Sequence, residues 1–70
     1  MNGFPQRLRE LRERQNNKRS RRTTSELCGL HPDAFRRYER GESKPDVESL
    51  EAIADYFKVS VDYLLGRTNY

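Results

Sequence analysis

A single cysteine in 70 residues excludes an internal disulfide, and Cys28 with the one histidine, His31, supplies too few soft ligands for a tetrahedral zinc site. No metal is expected. Apolar side chains are scarce as well: Leu, Ile, Val and Phe number 14 of 70, at the compositional edge where highly charged chains stop folding. No run approaches the ~20 apolar residues of a membrane span, and the opening MNGFPQRLRE lacks the hydrophobic stretch of a signal peptide. These absences predict a cytoplasmic protein with no membrane attachment. Sustained period-two alternation is missing, as are repeats and low-complexity tracts, so no strand is predicted. At 8.3 kDa the chain makes one domain, residues 1–70, with little room beside its core for a ~300 Å³ substrate pocket. That argues against an enzyme, a small-molecule substrate or a cofactor.

Charge is abundant, at 36% of residues, with a formal net charge of +3 and a sequence pI near 9.4. It is also unevenly spread. Residues 1–30 carry eight basic side chains against Glu10, Glu13 and Glu26, whereas residues 45–70 carry Lys58 and Arg67 against five acids. A basic front and an acidic end are the footprint of a polyanion binder with one face turned to its ligand, or else of an ordinary solvated surface.

Helical periodicity runs through the chain. Phe4, Leu8 and Leu11 share one face of a helix that can start at Pro5 and should fray near residues 15–17. Ser20 is placed to cap a second helix ending at Leu27 or Cys28, with Gly29 as the left-handed residue beyond it. Pro32 marks the first position of a third helix that stops at Gly41. Asp46 caps a fourth, whose stripe is Leu50, Ile53, Ala54 and Phe57, and Ser60 a short fifth holding Val61, Leu64 and Leu65. The predicted fold class is all-α.

Two short helices joined across a glycine turn follow the helix-turn-helix plan. With Phe35 taken as inward and about 100° per residue, Arg36, Asp33, Arg40 and Arg37 cluster on the outer side of the third helix. Such a face suits a major groove, where arginine pairs bidentately with guanine.

The chain resembles the Cro and phage-repressor type of helix-turn-helix regulator, five-helix bacterial and phage proteins. The resemblance runs from about Leu8 to Gly66 and is carried by RLRELRER, SELCGL, FRRYERGESKPDVESLEAIADYF and KVSVDYLLG. It implies a lambda-repressor-like fold and a sequence-specific double-stranded DNA-binding regulator, a repressor, that places its third helix in an operator's major groove. By position, the base-reading residues would be Pro32, Asp33 and Arg37, with Arg36 beside them. Phosphate contacts would fall on Ser20 and Arg21, and on Arg40, Ser43 and Lys44 in and before the following loop. Arg12 and Glu39 would form a structural ion pair, in keeping with the inward direction of Glu39. The departures are a first connection two residues longer than usual, Arg19 for an apolar residue, Arg21 for the usual glutamine, Thr24 for a core leucine, and Pro32, which removes a side-chain donor from a base-reading position and shifts specificity to Asp33, Arg36 and Arg37. The second helix is therefore expected to be less firmly anchored.

Several residues admit more than one reading. The run Lys18, Arg19, Ser20, Arg21, Arg22 is a basic tag, a solvated loop or, beside this motif, a phosphate clamp. Asp33 either accepts from a cytosine amino group or complements the helix dipole. Cys28 reads as a buried inert thiol, His31 as a turn residue and Tyr38 as a core aromatic. One recognition helix spans few base pairs, so a weak homodimer formed on DNA is expected, its contact drawn from Val61, Tyr63, Leu64 and Tyr70 near the acidic end. Other function classes remain: a protein-interaction module that keeps the fold, the DNA-binding part of a longer regulator, or an RNA binder, against which the lack of aromatic stacking platforms counts.

Overall fold

The first helix, α1, runs Phe4–Gln15 and buries Phe4, Leu8 and Leu11, one residue earlier in its start than the proline position suggested. The computed structural model describes residues 3–15 and 18–69. Asn16 and Asn17, at the expected fraying point, lie outside the described residues, as does Tyr70 from the expected dimer contact. Four further helices follow: α2 (Arg21–Leu27), α3 (Ala34–Glu39), α4 (Val47–Phe57) and α5 (Val61–Leu64). Among the described residues there is no strand.

Each start from α2 onward has a physical cause in its first residues. The Ser20, Asp46 and Ser60 side chains accept from the backbone amides of Thr23, Ser49 and Tyr63, so the three expected caps are formed as read. The third helix departs from expectation. Pro32 stands outside it, because His31 Nδ1 takes the Asp33 amide at 3.1 Å and the His31 carbonyl takes that of Ala34 at 2.9 Å, a turn that delays the helix to Ala34.

The helix ends share one closure. After α2 the amides of Gly29 and Leu30 donate back to the carbonyls of Glu26 and Ser25 at 3.0 and 2.9 Å, and Gly29 takes φ +78°, which a side chain would strain. Gly41 and Gly66 repeat the pattern after α3 and α5. After α4 the left-handed position is filled by Lys58, at φ 60°.

The core sits between α1, α3, α4 and α5. Phe35, Leu8, Ile53 and Leu64 are fully enclosed, and the Phe4 and Tyr38 rings meet edge to face at 6.0 Å. Tyr38 is thus a core aromatic. Leu64 has no exposed surface, because a helix this short must turn its one large aliphatic side chain inward, and it is removed from the expected dimer contact. Val61 and Tyr63 stay half-buried. Within the described residues, no helix is long and apolar enough to cross a membrane.

Candidate nucleic-acid interface

The turn between α2 and α3 is held by one hydroxyl. Ser25 Oγ donates to the Arg21 carbonyl at 2.8 Å and accepts from the Phe35 amide at 2.9 Å, so it joins the two helices across the turn in a fully buried setting. Thr24, equally buried, donates to the Ser20 carbonyl at 2.9 Å. Where a core leucine is expected, α2 buries Thr24, whose hydroxyl is satisfied within its own helix, and the bond across the turn comes from Ser25. Sequence reading passed over Ser25, whose only signal is its position four residues before the glycine.

A second tie fixes α3 to α1. Arg12 Nε and Nη2 donate to both Glu39 oxygens at 2.7 and 3.0 Å, and Nη1 donates to the Arg19 carbonyl at 3.0 Å. The two side chains are only 13% and 5% exposed, so the pair is structural, as expected. The Glu39 hydrogen bond outweighs burial and raises the Arg12 pKa, keeping the guanidinium charged. Cys28 is half-buried, and burial pushes its thiol up to about 11, which leaves it protonated and inert near neutral pH.

On this frame the expected contact residues fall into three places. A cleft of about 540 Å³ brings Ser20 and Arg21 at the start of α2 together with Arg40 at the end of α3, joined by Arg9 and Arg12 of α1 and by Glu13 and Glu39. Arg9 was not foreseen. A second cleft, of about 240 Å³, unites Ser20, Arg21 and Arg22 with Pro32, Asp33 and Arg36. Ser43 and Lys44 stand apart, lining a notch with Phe4, Pro5, Tyr38 and Gly41. Lys18 is exposed, whereas Arg19 reaches back to Tyr56 of α4, its Nη1 3.3 Å from the hydroxyl.

The outer face of α3 is a charge network. Asp33 receives Arg36 Nε and Nη2 at 2.7 and 2.6 Å and has Arg37 Nε at 3.4 Å, while Glu42 lies 2.8 Å from Arg40 Nε and 4.0 Å from Arg36 Nη1. The Arg36 hydrogen bonds, followed by the Arg36 and Arg37 charges, outweigh desolvation and hold the Asp33 carboxyl down at about 2. Its folded pKa lies below the unfolded value near 4, so its contribution is intact above about pH 4 and fades as pH falls toward 2. Asp33 makes no side-chain cap bond to α3. Arg22 pairs loosely with Glu26 at 3.7 Å.

The chain matches the Helix-turn-helix family over residues 8–64. It is 39% identical over 61 residues to the HTH-type transcriptional regulator AnsR of Bacillus subtilis (strain 168), covering 87% of this chain and 51% of that protein. It is 36% identical over 66 residues to the uncharacterised HTH-type transcriptional regulator YobD of the same organism, covering 94% of this chain and 57% of that protein. No solved structure gives a significant match. The chain spans about half the length of the curated relatives it matches.

Proposed function

The chain belongs to the helix-turn-helix family of the Cro and phage-repressor type, with its lambda-repressor-like five-helix fold, and on that premise we propose that it binds an operator in double-stranded DNA and represses transcription by occupying it. In this reading α3 turns the face that bears Pro32, Asp33, Arg36 and Arg37 into the major groove, where bases are read, and Ser20, Arg21, Arg22 and Arg40 flank it on the phosphates. Lys18, Arg19, Ser43 and Lys44 add contacts at the margin. The work is done in the cytoplasm of a bacterial or phage-infected cell, by the unit of residues 1–70.

The observation that carries the reading is the joining of the two sets. Ser20 and Arg21 line both clefts, so Arg21 and Arg22 at the start of α2 share one surface with Arg36 and Arg40 at α3. Such a surface releases condensed counterions when it meets a duplex, and affinity then falls steeply with salt. Two copies on half-sites one helical turn apart would supply site length, with Val61 and Tyr63 left for the contact between them.

Selection from randomised duplexes tests the reading. An enriched sequence with two-fold symmetry, bound at 2:1 in sedimentation and with a steep salt slope, is the expected result. No duplex retention at ~100 mM salt would instead favour a protein-interaction module.

A further inference from the structure

The three charged residues at the front of α3 are bonded unequally. Arg36 turns its Nε and Nη2 edge onto both Asp33 oxygens, at 2.7 and 2.6 Å, and its Nη1 faces Glu42 at 4.0 Å. One edge of that guanidinium is closed, and the remainder is shared with a second carboxylate. Arg37 approaches Asp33 more loosely, with Nε nearest at 3.4 Å, and its side chain is 55% exposed against 39% for Arg36. Among the described residues its two Nη groups make no hydrogen bond, and more than half of the side chain stands open. They form the parallel donor pair that guanine O6 and N7 accept in the major groove.

A free arginine loses rotamer freedom when it docks on a base. Tethering Nε to a fixed carboxylate removes part of that loss in advance and leaves the reading edge open. The spacing supports the arrangement, since positions 33, 36 and 37 lie on one helical face and a single carboxylate reaches both arginines.

We propose that Asp33 is a positioning residue for base readout: it withdraws Arg36 from the base edges and aims the open Nη pair of Arg37 at one guanine. The α3 face then reads a G·C pair through one arginine, and Asp33 touches no base. This inference rests on the DNA-binding reading above.

Duplex selection with the parent chain and with Asp33→Ala, Asp33→Asn, Arg36→Ala and Arg37→Ala tests it, each variant's fold being followed by thermal melting. The parent is expected to enrich a site with one strong guanine position that Arg37→Ala abolishes and Arg36→Ala retains. Asp33→Ala should keep the same consensus but lower the guanine preference at that position by about tenfold. At the same time it should bind random duplex more tightly, because a negative charge has left the surface. Asp33→Asn, which keeps an acceptor without the charge, should fall between, and it decides the question if the alanine variant does not fold. A merely structural Asp33 would weaken all duplexes alike and overturn the proposal. Loss of a cytosine preference at another position in Asp33→Ala would overturn it too, by making Asp33 a direct contact. If the parent enriches no sequence, the DNA-binding reading fails and this inference with it. If it enriches a site that Asp33→Ala reproduces with equal contrast, only the role of Asp33 fails.

Discussion

Helix α2 buries two polar side chains, Thr24 and Ser25, where α4 buries Ile53, Ala54 and Phe57. The first is joined to its neighbour by a hydrogen bond of defined length and angle, Phe35 amide to Ser25 hydroxyl, and the second by area removed from water, which has no preferred direction. The difference tracks charge. Around α2 and α3 the surface is arginine-rich, while α4 and α5 expose Glu48, Glu51, Asp55 and Asp62. The contrast teaches that the half proposed to meet DNA is built for orientation and the half behind it for cohesion. A hydrogen bond fixes the angle at which α3 is presented, whereas buried area rewards contact without selecting one orientation.

The sharpest way to break this comparison is to cut the tie between α1 and α3. Arg12→Met leaves Glu39 at 5% exposure without its partner and should lower stability by about 3 to 5 kcal/mol, enough to unfold a domain this small. Thermal melting checks it, and a midpoint within a few degrees of the parent would mean that the pair is not carrying α3. Next in size is Ser25→Ala, which strands the buried Phe35 amide and should cost about 1 to 3 kcal/mol. Binding measured at a temperature where the variant is fully folded should still be weaker, because the turn has lost its fixed angle. Ile53→Val, by comparison, should cost about 0.5 to 1.5 kcal/mol and leave duplex affinity unchanged. Equal binding losses in the two variants would erase the distinction between orientation and cohesion.

The charge contrast is tested by salt. Arg21→Ala should weaken all duplexes alike and lower the slope of log affinity against log salt by about one unit, and Glu51→Gln should leave that slope unchanged. A slope altered by the α4 substitution would put DNA on the wrong side of the molecule. The smallest expected effect is a gain: Lys58→Gly relieves a left-handed residue at the end of α4 and should raise stability by about 0.5 to 1 kcal/mol in denaturant melts, with no change in binding.

What could be read before folding follows the same division. The apolar stripes of α1 and α4, the caps Ser20, Asp46 and Ser60, and the left-handed Gly29 are local signals with fixed spacing, and the structure forms each of them. The Arg12 and Glu39 pair, 27 positions apart, was legible through the family resemblance and the inward angle of Glu39. Ser25 was not, because a small hydroxyl looks alike on a surface and in a core, and only the approach of the Phe35 amide distinguishes them. The late start of α3 was missed because proline at a first helical position outweighed the local turn that His31 makes with its own ring nitrogen. Arg9 escaped notice because its partners in the cleft come from three separate helix ends. Leu64 was misplaced because periodicity says which residues share a face but not which face of a one-turn helix meets the core.

Arg7 gives the molecule a further property. Its guanidinium lies 4.5 Å from the centre of the Tyr63 ring, and its Nη1 donates to the Thr68 carbonyl at 3.1 Å, so the start of α1 is clasped to the segment after α5. Residues 3 and 68 therefore sit near one another, and Gly3 and Gly66 line a shallow recess that has no residue in common with either arginine-bearing cleft. A side chain that bridges positions 61 apart ties the first helix to the segment after the last, so local opening of either is resisted by the other, away from the arginine-bearing clefts.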